Sequence, residues 1–155
     1  MTSHGVEDQL PTQELARRLH RSNMARQFGF RLEAAEPGRA VVRMQVRSRH
    51  KQVHGVVHGG ILAALADTAG GLATYMAVPR STRVATLEMK INFLEAVDHG
   101  ALVADARVLR KGKNFAVVDC EVTDSAGRLA AKALMTFSIG PIESRSPKPA
   151  GGTGA

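Results

Sequence analysis

Residues 59–79 read GGILAALADTAGGLATYMAVP, and nothing in that run alternates. It is apolar on nearly every side, rich in Ala and Gly, and carries a single charged side chain, Asp67. A helix with no polar face has to be covered all round. At about 20 residues the segment has the length of a bilayer crossing, but Ala and Gly supply too little hydrophobicity for one, and its flanks read as strands of a water-facing sheet. The run therefore predicts a central buried helix gripped by that sheet, with small residues letting backbone approach backbone.

The flanks carry the sheet. From Arg39 to Arg47, Ala40, Val42, Met44 and Val46 alternate with Arg39, Val41, Arg43, Gln45 and Arg47, the pattern of a strand with one wet face. Residues 83–95 alternate likewise, with Ala85, Leu87, Met89, Ile91 and Phe93 set against Thr86, Glu88, Lys90 and Asn92. Three further strand-like runs follow, Ala101–Arg110, Asn114–Thr123 and Arg128–Ser138. Their separators, Arg110-Lys111-Gly112-Lys113 and Asp124-Ser125-Ala126-Gly127, are turn-like, so successive strands should pair antiparallel as hairpins. Ahead of the sheet, Gln13–Met24 places Leu15, Leu19 and Met24 on one stripe and suits a short amphipathic helix capped by Thr12, its basic side exposed. Pro, Gly, Ser and Ala crowd residues 141–155 without periodicity, the composition of a disordered tail. The organisation expected is a helical extension over 1–28, one α+β domain over 29–140 and a tail over 141–155.

Composition narrows the function. The chain has 155 residues, 44% of them hydrophobic and 23% charged, enough for one core and too few for two. Lys and Arg outnumber Asp and Glu by 21 to 14, which favours phosphate-bearing or other anionic partners. The absence of Trp and the single Tyr disfavour the stacking platforms of single-strand binders, and no helix-turn-helix pair fits before the first strand, so nucleic acid is not expected. The lone Cys120 excludes an internal disulfide. The first 30 residues hold no apolar run behind a basic start, so a cytoplasmic protein is expected, without membrane attachment.

The chemistry concentrates on two places in the helix. His58-Gly59-Gly60 opens it, and a helix start presents unpaired backbone N–H groups and the positive end of the dipole. Two glycines there let a substrate oxygen approach the main chain, and those donors suit an oxyanion or a polarised carbonyl. A buried Asp67 should have partners or a function. Asp67 lies eight residues beyond Gly59, about 12 Å along the axis at 1.5 Å per residue. One helix therefore cannot set both groups around one carbon. Two copies lying antiparallel across a two-fold axis can, so the chemistry requires a dimer.

The stretch Gly55-Val-Val-His58-Gly59-Gly60-Ile-Leu-Ala-Ala-Leu-Ala-Asp67-Thr68 resembles the hotdog-fold acyl-CoA thioesterases, of the phenylacetate-pathway type and the relatives that hydrolyse hydroxybenzoyl-CoA. The resemblance runs from about Val41 to Ser138, and Thr86-Leu-Glu-Met-Lys-Ile-Asn-Phe-Leu94 and Gly112-Lys113 add to it. It implies the hotdog fold, a curved antiparallel sheet wrapped around a long central helix. It also implies hydrolysis of an acyl- or aryl-CoA to the carboxylic acid and free CoA. Asp67 falls where the family has its catalytic acid, acting as nucleophile on the thioester or as general base for water. Gly59 falls where a backbone N–H polarises the thioester carbonyl, with Gly60 beside it on the substrate. His58 matches a residue that holds the loop and helix start, Gln52 an Asn or Gln near the substrate carbonyl or water, and Thr86 a Ser or Thr that positions water. The alternation sets Thr86 among the polar residues, away from Leu87 and Met89, which conflicts with that last match. CoA is part of the substrate, and no further cofactor is implied. A homodimer is expected to complete the site and a homotetramer to follow from it.

Other constellations are weaker. His50, His54 and His58 recur every fourth residue, as zinc ligands on a helix would, but Val53, Gly55, Val56 and Val57 are poor helix formers and no metal site is expected. Arg107, Arg110, Lys111 and Lys113 surround a strand end and turn, where Arg110, Lys111 and Lys113 could meet the phosphates of CoA. Cys120 shares an apolar strand face with Ala116, Val118 and Val122, which suits a packed thiol. Serine-hydrolase, NTPase and dinucleotide motifs are absent. The alternative to a thioesterase is a non-catalytic module that binds or senses acyl-CoA on the same fold. A hotdog dehydratase stands third, because His58 and Asp67 do not form its pattern.

Overall fold

The computed structural model describes residues 10–142. Two short helices, α1 (Thr12–Arg21) and α2 (Asn23–Phe28), precede strands β1 (Arg31–Glu36) and β2 (Arg39–Gln45). A one-turn 3₁₀ segment, Ser48–His50, and a small loop lead into α3 (Gly59–Tyr75). Four long strands follow: β3 (Thr82–Phe93), β4 (Ala101–Lys111), β5 (Phe115–Asp124) and β6 (Leu129–Pro141). The sheet has the order β1-β2-β4-β5-β6-β3 and is antiparallel throughout. Its concave face wraps α3, which gives the α+β hotdog arrangement.

Packing between α3 and the sheet explains the small residues. Leu62, Leu65, Ala66, Ala69, Leu72 and Ala73 are buried against Val42, Met44, Leu102, Val118, Met135 and Phe137. Each fully buried Leu or Phe removes enough apolar surface to contribute about 1.5–3 kcal/mol. Gly70 marks the closest approach, since a Cβ there would lie 2.6 Å from the Met135 methyl and 3.0 Å from the Phe137 ring. The helix is not covered all round, however. A single curved sheet reaches one side, and Gly60, Ala63, Ala64, Asp67 and Gly71 form a stripe left exposed or half-exposed.

Four other local features differ from the sequence reading. The predicted Gln13–Met24 helix breaks at Ser22, whose backbone is extended (ψ 122°) and whose hydroxyl accepts from the Ala25 N–H at 3.3 Å, starting α2. Met24 thereby leaves the buried stripe of Leu15 and Leu19, and Pro11 rather than Thr12 occupies the cap of α1. Strand β1, RLEAAE, has no regular alternation and carries a bulge between Leu32 and Ala34. The central helix ends at Tyr75, short of Pro79. Finally, β3 is bulged between Thr86 and Glu88: Thr86 pairs with Phe137 and Glu88 with Thr136, leaving Leu87 outside the ladder. The alternation phase therefore changes within the strand. β6 runs to Pro141, while residues 143–155 of the expected tail and 1–9 of the extension lie outside the described residues.

Candidate functional site

The start of α3 is held from two directions. Val57 donates its N–H to the Val97 carbonyl at 2.7 Å, and His58 donates its N–H to the His50 carbonyl at 2.9 Å. His58 is the N-cap, with extended backbone (φ −63°, ψ 134°), and its Nδ1 accepts from the Gly60 N–H at 2.8 Å. That bond requires a lone pair on Nδ1, so the proton of the neutral ring sits on Nε2. It also occupies the Gly60 donor that the sequence reading offered to substrate. The Gly59 N–H, in the first helical position, has no acceptor among the described residues. The Phe93 ring lies 3.2–3.5 Å from where a Gly59 Cβ would stand, so glycine is what lets this aromatic edge close over the helix start.

Gln52 belongs to the loop before the cap. Its N–H donates to the Val56 carbonyl and its carbonyl accepts from the Gly55 N–H, both at 2.9 Å, making a tight turn in which Gly55 takes φ +80°. Lys51 and Val57 bridge across it. The Gln52 Oε1 accepts from the His54 N–H at 2.9 Å, which turns the Nε2 amino group into the donor end left to solvent or ligand.

Asp67 sits on the half-open stripe of α3, where Thr86 donates its hydroxyl to Asp67 Oδ1 at 2.7 Å. This is where the β3 bulge matters. Because Leu87 is left out, Val84, Thr86, Met89 and Ile91 all face the α3 side, and Thr86 reaches the carboxylate from between two apolar neighbours. The conflict between alternation and position at Thr86 was thus an error of phase. Asp67 Oδ2 has no protein partner among the described residues. The adjoining Thr68 hydroxyl is committed to the Ala64 carbonyl at 2.8 Å.

The sequence candidates thus fall into two separate groups along α3. One is the Gly59 N–H with the His58 cap, the Phe93 ring and the Gln52 loop nearby; the other is Asp67 with Thr86. They stand eight positions apart along α3, from Gly59 to Asp67. Arg110, Lys111 and Lys113 lie elsewhere, on the end of β4 and its turn, where Lys111 and Lys113 line a cavity of about 540 Å³ with Val78, Thr82 and Ile139. Gln52, His58, Gly59, Asp67, Thr86 and Phe93 do not line it.

The remaining titratable candidates have structural places. His50 is buried, and its Nδ1 accepts from the Arg47 N–H at 3.0 Å. Burial, then the neighbouring Arg49 and Arg47 charges, hold its imidazole below the ordinary range against the opposing bond to the Phe28 backbone. With His54 exposed and His58 capping α3, the three histidines do not converge, and no cluster of three or more potential ligands suited to a metal occurs among the described residues. Burial, then the Asp119 and Asp105 charges, push the Cys120 thiol up to about 12. No described helix is long and apolar enough to cross a membrane.

Sequence reasoning missed the Phe93 cover over Gly59 and the facing of Thr86. An extra residue in an otherwise regular apolar alternation leaves no compositional trace, and the one signal for the facing of Thr86 was a match to the family's Ser or Thr that the alternation contradicted.

Comparison with known proteins agrees with this architecture. The thioesterase superfamily profile matches residues 54–131. The 1,4-dihydroxy-2-naphthoyl-CoA hydrolase of Escherichia coli is 28% identical over 128 residues, covering 83% of this chain and 94% of that protein. The crystal structure of thioesterase HI1161 from Haemophilus influenzae superposes with a TM-score of 0.81 at 25% identity, covering 88% and 94% of the two chains. The PaaI protein of the E. coli phenylacetic acid degradation operon gives 0.77 at 27%, covering 83% and 93%. Because the profile spans half of the chain and the fold superposes on solved thioesterases, the chain belongs to the thioesterase superfamily and is a thioester hydrolase of the hotdog fold.

Proposed function

We propose that the substrate is an acyl- or aryl-CoA and that each active site forms between two copies of the chain. The observation that carries this is Asp67, oriented by Thr86 at 2.7 Å with its second oxygen unclaimed, on the one stripe of α3 the sheet leaves open. Gly60, Ala63, Ala64 and Gly71 flank it with almost no side-chain bulk, which suits a second α3 packed antiparallel. β3, at the sheet edge, offers an unpaired ladder for a partner strand. In such a dimer the Gly59 N–H of one chain points to the carboxylate of the other. The relative from E. coli is named as acting on an aryl-CoA, which supports the substrate class.

The chemistry follows from those groups. The Gly59 N–H and the helix dipole stabilise negative charge on the thioester oxygen as the carbonyl carbon becomes tetrahedral. The Gln52 amino group is placed to add a second donor. Asp67 either attacks that carbon, giving a mixed anhydride that water cleaves, or removes a proton from the attacking water. Either route consumes one water and yields the acid and CoA thiol. His58, with Nδ1 committed to the cap, serves to hold the helix start and is not the base. Lys111, Lys113 and Arg110 are available to CoA phosphates, and the protein acts in the cytoplasm as a dimer or a tetramer of two dimers, without metal or redox cofactor.

The test is thiol release from a panel of CoA thioesters, aromatic and aliphatic. Asp67→Asn should lose about 100-fold or more in turnover while keeping its melting temperature. Gly59→Pro, whose ring suits a first helical position but removes the N–H, should also be inactive, while Gly59→Ala, which sets the same Cβ against Phe93 and keeps the N–H, should retain most of the activity. Mixing the two inactive variants under exchange should restore about a quarter of wild-type activity, because half the dimers are mixed and one of their two sites is intact. Recovery of none would place both groups in one chain's site and overturn the shared one. Tight binding of thioesters by the wild type without release would instead identify an acyl-CoA sensor.

A further inference from the structure

Away from the Gly59 and Asp67 groups, five arginines meet on the outer face of the sheet. Arg31 of β1, Arg43 of β2, Arg47 and Arg49 around the 3₁₀ turn, and Arg26 of α2 line a concavity of about 370 Å³ together with Gly29 and Gln45. Arg31 and Arg43 are direct cross-strand partners, a placement in which like charges oppose pairing. Elsewhere the sheet matches its cations with carboxylates: Arg39 with Asp105 at 2.8 Å, Arg128 with Asp124 at 2.7 Å, Lys132 with Asp119 at 2.7 Å. Here the described residues supply one acid, Glu33, at 3.7 Å from Arg43, and Arg26, Arg31, Arg47 and Arg49 have no ion pair among them. Gln45 donates its amino group to the Gly100 carbonyl at 2.7 Å and offers the hollow a neutral carbonyl oxygen, which brings no negative charge. The positive field is felt next door, where Arg49 and Arg47 help burial to hold His50 neutral.

We propose that this arginine-lined concavity is a binding site for a clustered phosphate group, of the kind carried by a nucleotide diphosphate or a small polyphosphate. Planar guanidinium forks bind phosphate oxygens in pairs, and several converging on one hollow select a multiply charged anion over a carboxylate. The site is compact and concave, which fits a small molecule, whereas a nucleic-acid duplex needs an extended basic stripe. It is separate from the Arg110–Lys113 turn: Arg43 lies opposite Val103 of β4, and seven residues further along that strand to Arg110 is about 23 Å. Its link to the helix start is short, because His50, between Arg49 and the loop, accepts the His58 N–H.

The proposal does not depend on the hydrolytic reading and is tested without it. Titration of the full chain with inorganic pyrophosphate in a calorimeter should show saturable binding, one per chain, that weakens as salt rises. Arg31→Gln with Arg43→Gln should weaken it at least tenfold, while Arg80→Gln with Arg83→Gln, an equal loss of charge elsewhere, should change it less than twofold. No saturable binding by the wild type, or equal weakening in both pairs, would overturn the proposal. Two further arms separate the sources of the phosphate. If it belongs to the substrate, the Arg31/Arg43 pair raises KM for a CoA thioester but not for the matching pantetheine thioester. If it belongs to a separate effector, both KM values stay unchanged while pyrophosphate binding is lost.

Discussion

Replacing Thr86 by Val removes one hydroxyl and keeps the shape of the side chain, so it isolates the bond to Asp67. That bond, 2.7 Å from Oγ1 to Oδ1, is the protein contact that fixes how the carboxylate is turned. A hydrogen bond to a charged group contributes about 1.5–3 kcal/mol, and each 1.4 kcal/mol is tenfold in rate. Where water still reaches the carboxylate in the assembled site, it can replace the hydroxyl and the lower value applies. When a second α3 covers the stripe, water is excluded and the upper value is the better guide. The expected fall in kcat/KM is therefore from about 10-fold to about 150-fold. Thermal stability should move little, because the bond lies at a surface left half-exposed by its own chain. Thr86→Ser, which keeps the donor, should recover most of the activity. The assay is thiol release at saturating and limiting thioester, beside a melting curve. Val activity within twofold of wild type would show that Thr86 does not orient Asp67 and would remove the functional reason for the β3 bulge.

Two other expectations concern buried groups. His50 is harder to protonate in the folded chain than in the unfolded one, so the unfolded chain takes up the extra proton as pH falls below about 6.5. Stability should be complete above that pH and decline below it; melting temperatures from pH 8 to 5 should show the slope, and an unchanged slope in His50→Gln would refute the attribution. Cys120, with its thiol pushed up to about 12, should stay unreacted by an aromatic disulfide reagent at pH 8 until the chain unfolds. Rapid stoichiometric labelling of native protein would contradict its burial.

Much of the fold was legible because its signals are periodic. The buried helix announced itself by lacking a polar face, and β2, β4, β5 and β6 by alternation broken at glycine turns. β1 was not legible, since RLEAAE is short and polar and is held by its pairing with β2 and by α1 rather than by its own pattern. The break at Ser22 had a local signal, a Ser-Asn pair suited to capping, outweighed by the continuing Leu stripe. At the site, Asp67 and His58-Gly59-Gly60 stood out because polar chemistry in an Ala/Gly helix is conspicuous. The helix start proved more economical than expected, with the Gly60 donor taken by the cap. The arginine concavity was invisible, because its members come from α2, β1, β2 and the following turn and share no spacing along the chain.

The surplus residue in β3 also bears on how this chain is lined up with its relatives. Leu87 takes no place in the ladder, so a related strand one residue shorter can present the same inward row of side chains. A gapless alignment through residues 82–93 against such a strand would shift one half of it by a position and set the wrong neighbour opposite Thr86. Where the gap is drawn decides whether a hydroxyl is counted at the carboxylate or lost, and homology-based transfer of this position is only as good as that single choice.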